Sequence, residues 1–153
     1  MSVILKEVTA GNYYEVGLLT TNQSGMPTFD EEFICANSVS IAESKYYPKL
    51  HPQAIYANDI LIGFILSGPY IDDDDNFWIL RYMIDYKYQG KGYGKRALLS
   101  FIEQIRQKGL VQEIFLGLDA ANEKAIKVYT ACGFRFTGVI KQGEQIYCLT
   151  IQD

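Results

Sequence analysis

The run Asp85-Tyr86-Lys87-Tyr88-Gln89-Gly90-Lys91-Gly92-Tyr93-Gly94-Lys95-Arg96 joins two segments of different periodicity. Before it, Phe77 to Asp85 is nearly all apolar or aromatic, the pattern of a strand covered on both faces. After it, Ala97, Leu98, Phe101, Ile102 and Ile105 share one stripe of a helix predicted over Tyr93 to Lys108 and stopped by Gly109. Glycines at positions 90, 92 and 94 bare the main chain where that helix begins. Free N–H groups and the positive end of the helix dipole therefore converge on one small volume. A phosphate or pyrophosphate suits that volume, and Lys91, Lys95 and Arg96 add charge there in a chain of formal net charge −4.

The spacing excludes a P-loop, because position 89 is Gln and Lys95 is followed by Arg96 rather than Ser or Thr. It also breaks the dinucleotide fingerprint, although Asp119 after the next predicted strand keeps a nucleotide-binding oxidoreductase as a competitor.

Outward from the turn, a first strand is expected at Val3 to Val8, with Thr9 as N-cap of a helical stretch carrying Tyr13, Val16 and Leu19. A second helix is expected from about Glu32 to Tyr46, stopped by Pro48. Ala54 to Ala57 and Leu61 to Leu66 read as strands joined at Asn58-Asp59. Asp72 to Asp75 reads as a solvated loop. Beyond the long helix, a strand at Ile114 to Leu118 precedes a helix at Glu123 to Cys132, with Asn122 as N-cap and Gly133 as stop. Phe134 to Ile140 and Gln145 to Ile151 close the chain as strands around Gln142-Gly143. The order predicts a mixed α/β sheet, antiparallel at its front, with one βαβ crossover in its centre.

The 153 residues form one domain, 1–153, large enough to bury a core without staples. The acidic balance argues against a nucleic-acid partner. Cys35, Cys132 and Cys148 are widely spaced and His51 is the lone histidine, so neither a disulfide framework nor a metal site is expected. Charge near the start excludes a signal peptide, and Ile60 to Leu66 is too short to cross a bilayer, so no membrane partner and a cytoplasmic location are expected.

Gln89, Gly92 and Gly94 match the Q/R-x-x-G-x-G/A signature of the GNAT family of N-acetyltransferases, which the chain resembles from roughly Phe77 to Gly138. Tyr82-Met83-Ile84-Asp85, the N-x-x-A-x-x-x-Y spacing from Asn122 to Tyr129, and Cys132-Gly133-Phe134 extend the match. Trp78, the Tyr88 to Gly92 run and Ser40-Ile41-Ala42-Glu43 are most similar to the small bacterial polyamine acetyltransferases.

The resemblance implies a mostly antiparallel sheet of about seven strands flanked by about four helices, with splayed central parallel strands. It implies acetyl-CoA as cosubstrate, with the main chain of Met83 and Ile84 pairing with the pantetheine arm. Gln89, Gly90, Lys91, Gly92, Tyr93, Gly94 and Lys95 would hold the pyrophosphate, and Asn122 would contact the pantetheine. Tyr129 would be catalytic, its phenol protonating the departing thiolate. Asn122, Ala125, Ile126 and Tyr129 share one helical face, so the phenol points where Asn122 points, an argument independent of the resemblance only in part. The acceptor expected is a small cationic amine such as spermidine or spermine. A protein N-terminus, an aminoglycoside and a non-catalytic CoA sensor stay open, as does a homodimer. Family members often carry a carboxylate on the strand before the turn, and Phe77 to Ile84 has none; Leu80 and Arg81 sit at its middle. The general base is therefore unassigned; Glu31, Glu32 and Glu43, on the acceptor side, are its candidates and candidate substrate-binding carboxylates, and Tyr46, Tyr47, Trp78 and Tyr82 are candidate aromatic lining of an amine channel.

Overall fold

Hairpins with left-handed turn residues set the frame of the sheet. Strand β2 (His51–Ala57) turns into β3 (Ile60–Tyr70) through Asn58 and Asp59, at φ 49° and 67°. Asn and Asp tolerate that region best among non-glycine residues, and two such residues in succession match the right-handed twist of the strands. The same device, Gln142 at φ 52° and Gly143 at φ 81°, joins β6 (Arg135–Lys141) to β7 (Glu144–Thr150). The computed structural model describes residues 2–70 and 72–151.

The remaining elements are β1 (Val3–Glu7), α1 (Tyr13–Leu18), α2 (Asn37–Tyr46), β4 (Asp73–Ile84), α3 (Tyr93–Lys108), β5 (Glu113–Leu118) and α4 (Glu123–Ala131). They build one seven-stranded sheet in the order β1-β2-β3-β4-β5-β7-β6. Every neighbouring pair is antiparallel except β4 and β5, which α3 connects as a parallel crossover. One face packs Ile55, Ile65, Ile79, Ile114 and Leu116 against Leu98, Phe101 and Ile105 of α3 and Tyr129 of α4. The other packs Ala54, Phe64, Leu66 and Met83 against Val16 and Leu19, with Ile34 and Ile41 at its rim.

Three expectations need correction. The helix expected from Glu32 begins at Asn37, because residues 29–36 close a loop of their own: Ala36 N donates to Phe29 O and Glu31 N to Ile34 O, both at 2.9 Å. The acidic run is largely strand. Asp73, Asp74 and Asp75 extend β4, with Asp73 paired to Tyr70. Lys49 at 2.7 Å from Asp74 and Lys141 at 3.2 Å from Asp72 offset the charge that had argued for a loop. Thr9 does not cap α1, whose N-cap position is Asn12; Thr9 O accepts from Tyr13 N while Asn12 Oδ1 accepts from Thr9 N.

Candidate active site

The parallel contact between β4 and β5 is short. It consists of Phe77 opposite Ile114 and Trp78 opposite Phe115, and beyond that point the strands part. A bulge lies at the parting: Arg81 faces Leu66 and Ile79 faces Ser67, leaving Leu80 as the extra residue. Past it, Asp85 N donates to Ile62 O at 2.8 Å, so β4 stays bonded to β3 on one edge. Alternation along an antiparallel pair then turns the polar groups of Met83 toward β3 and those of Ile84 toward the gap. Ile84 O accepts from Gln89 Nε2 at 2.9 Å, which leaves the Ile84 N–H facing the gap.

The glycine turn follows. Gly90 and Gly92 sit at φ 76° and 84°, and a Cβ at either would meet no heavy atom within 4 Å. Among the described residues, no main-chain N–H from Gly90 to Lys95 donates to a protein acceptor; Arg96 N, 3.3 Å from Gly92 O, is the first that does. Gly92 caps α3 without a side-chain bond. A run of unpartnered amides on open ground at a helix N-terminus fits a diphosphate. Asp85 fixes the turn from beneath. It is buried, and its carboxylate accepts from Thr20 N at 3.1 Å and Lys87 N at 3.0 Å while lying 3.1 Å from Lys87 Nζ.

Across the gap, Asn122 caps α4 by accepting from Ala125 N at 3.3 Å. One helical face later, Tyr129 is buried, its ring edge-on to Tyr82 (centroids 6.1 Å apart) and to Phe134 (5.5 Å). Among the described residues its hydroxyl makes no hydrogen bond. Burial first, and the nearby Cys132 second, hold its pKa above the ordinary tyrosine value, so the phenol keeps its proton. Tyr82 is also kept neutral, by burial first and then the Tyr129 phenol. Its hydroxyl donates to Gly94 O, so it braces the first turn of α3 and is committed there.

The acceptor-side candidates separate. Glu31 is fully engaged: its carboxylate accepts from Thr20 Oγ1 (2.6 Å), Thr21 N (2.8 Å) and Thr21 Oγ1 (2.6 Å). Glu32 is exposed. Glu43 on α2 is half-buried, and among the described residues its carboxylate has no hydrogen bond or ion pair. Trp78 donates to Asp73 Oδ2 at 3.0 Å and stacks between Tyr70 (5.3 Å) and Phe115 (5.4 Å). It therefore lies where β4 and β5 are still joined. His51, 2.6 Å from Glu7, stands at the start of β2, at the far side of the sheet. The side chain to which sequence reasoning assigned no role is Arg81. Its Nη1 donates to Leu80 O at 2.8 Å and its Nε to Cys35 Sγ at 3.2 Å. A strand position alone carried no signal for that, since Cys35 lies 46 residues away.

No helix among the described residues is long and apolar enough to cross a membrane. Residues 22–134 match the model of the acetyltransferase (GNAT) family. The chain is 30% identical over 152 residues to the spermine/spermidine N(1)-acetyltransferase of Bacillus subtilis (strain 168), covering 95% of this chain and 97% of that one. Its fold superposes with a TM-score of 0.67 on the PaiA N-acetyltransferase of Thermoplasma acidophilum, solved with coenzyme A, at 20% identity and 98% and 99% coverage. With the spermidine N-acetyltransferase of Vibrio cholerae, solved with CoA and spermine, the TM-score is 0.69 at 17% identity, covering 97% and 95%. The parted strands, the amide-lined turn and the extent of the sequence match lead to one assignment: the chain belongs to the GNAT family of acetyl-CoA-dependent N-acetyltransferases.

Proposed function

We propose that this enzyme transfers the acetyl group of acetyl-CoA directly to a primary amine of a polyamine such as spermidine or spermine. The observation that carries the reading is the run of main-chain amides from Gly90 to Lys95, unpartnered among the described residues, at the end of β4 where it has parted from β5, with Tyr129 packed against Tyr82 of that strand. The Bacillus relative supports the polyamine class. So does Glu43, a half-buried carboxylate that among the described residues holds no hydrogen bond or ion pair and is therefore able to meet a distal ammonium.

Acetyl-CoA supplies a thioester carbonyl as the electrophile. In this reading the amides of Gly90 to Lys95 bind the diphosphate, helped by the exposed Lys91 and Lys95. The Ile84 N–H and the Asn122 side chain orient the arm between β4 and α4. The amine lone pair forms the C–N bond, and the C–S bond breaks with its electrons on sulfur. Tyr129 passes its proton to that sulfur, and a proton leaving the nitrogen through water restores the phenol. We place the enzyme in the cytoplasm; the homodimer expected of the family is decided by analytical ultracentrifugation.

The test is thiol release from acetyl-CoA over an amine panel. Spermidine and spermine should exceed butylamine, a peptide N-terminus and an aminoglycoside by at least about tenfold in kcat/KM, a difference of about 1.4 kcal/mol in the transition state. Coenzyme A binding without thiol release from any amine would instead establish a non-catalytic sensor.

A further inference from the structure

Arg81 occupies the middle of β4, one residue past the bulge and opposite Leu66 on the sheet face that carries α1 and α2. Tyr82 and Tyr129 pack on the opposite face. If a pantetheine arm runs along Ile84 with its diphosphate at Gly90 to Lys95, its acyl end points toward Arg81 and the bulge. Two hydrogen bonds fix the guanidinium, and among the described residues no carboxylate lies within ion-pair distance of it. The charged or titratable groups facing it are Cys35 from the loop before α2, Glu43 from α2 and Tyr70 from β3. Burial opposes its charge, but the Cys35 sulfur and then Glu43 outweigh that and hold it above the ordinary arginine value.

We infer that Arg81 lowers the pKa of the acceptor nitrogen beside it, delivering the amine uncharged where residues 77–84 of this strand carry no carboxylate to take its proton. The inference rests on the polyamine reading above. A fixed cation disfavours a second cation close by, so the ammonium loses its proton to solvent on binding and its lone pair becomes available. Glu43, on the far side of Arg81 from Tyr82, would meanwhile favour the distal ammonium. The pair thus distinguishes the reacting nitrogen from the anchoring one.

The experiment is kcat and kcat/KM for spermidine against pH, by thiol release, in the wild type, Arg81→Gln and Arg81→Lys. The limb in kcat/KM reports the free amine, near its ordinary value of about 10.4, and the limb in kcat reports the bound one. The wild-type kcat limb should lie at least about one pH unit below the kcat/KM limb. Arg81→Gln should raise the kcat limb by about one unit and lower kcat roughly tenfold at pH 7, with KM no higher, whereas Arg81→Lys should keep the wild-type limb. An unmoved limb in Arg81→Gln overturns the inference. So does coincidence of the two wild-type limbs, a result that needs no variant to fold. A wild-type preference for carboxylate-bearing amines, lost in Arg81→Gln, overturns it by making Arg81 an anion anchor. A wild type that accepts no amine refutes the polyamine reading itself, a different result from any of these.

Discussion

Replacing Tyr129 with Phe removes one hydroxyl from a buried ring and leaves its packing intact. The ring keeps its edge contacts with Tyr82 at 6.1 Å and Phe134 at 5.5 Å. Because the hydroxyl holds no hydrogen bond among the described residues, its loss orphans no partner, and stability should change by no more than about 0.5 kcal/mol. If the phenol protonates the leaving sulfur, the same change removes a general acid worth about 10²- to 10⁴-fold. We expect kcat to fall at least about 100-fold, or roughly 2.7 kcal/mol of transition-state stabilisation, with acetyl-CoA affinity within about twofold of wild type. The assays are saturating thiol-release kinetics, calorimetric titration with acetyl-CoA and urea unfolding followed by Trp78 fluorescence. A kcat within threefold of wild type would refute the role. The pH profile supplies a second check. Burial raises the Tyr129 pKa, so the donor form is retained below its ordinary value of about 10 and lost only as pH rises beyond it. An alkaline limb at about pH 8 to 9 that disappears in Tyr129→Phe would contradict that environment.

Two further outcomes follow from groups withdrawn from solvent, Asp85 fully and Cys148 in part. Asp85→Ala orphans the amide of Thr20, itself 1% exposed, and uncaps Lys87 N, so unfolding should become easier by about 2–4 kcal/mol, lowering Tm by roughly 5–12 °C; Asp85→Asn should recover part of that, and a Tm within two degrees of wild type would show that the carboxylate is not needed. Burial, and after it the Glu113 carboxylate that accepts its hydrogen bond, push the Cys148 thiol up to about 12 from 9.0. A raised thiol pKa contributes stability that is complete below about pH 9 and is lost as pH climbs toward 12, so urea midpoints should fall less steeply across that range in Cys148→Ala; parallel curves would deny the effect.

The donor half was legible because its signals are local. A buried strand, a glycine turn and a striped helix follow one another within Phe77 to Lys108, and each leaves its period in the chain. The shared face of Asn122 and Tyr129 was readable for the same reason, since seven residues along one helix fix it. The acceptor half resisted because its contacts are made by distant residues. Glu31 looked like a free carboxylate until the fold folded Thr20 and Thr21 onto it. Trp78 looked like channel lining, yet Tyr70 and Phe115, from two other strands, enclose it. Arg81 gained meaning only when Cys35 came within 3.2 Å. The acidic run misled because its neutralising lysines, Lys49 and Lys141, lie in other parts of the chain.

Two register pairs join the β1–β4 block to the β5–β7 block, whereas six join β5 to β7. The sheet thus has a seam, and denaturant or pulling force should unzip it there before either block frays. A ligand laid along the seam acts as a suture. At a hundredfold excess over its Kd it would add about 2.7 kcal/mol against unfolding, as any ligand selective for the native state must. Here that energy would reinforce the strand pair with the fewest register contacts, so a cosubstrate bound there would also be, for as long as it stays, part of the scaffold.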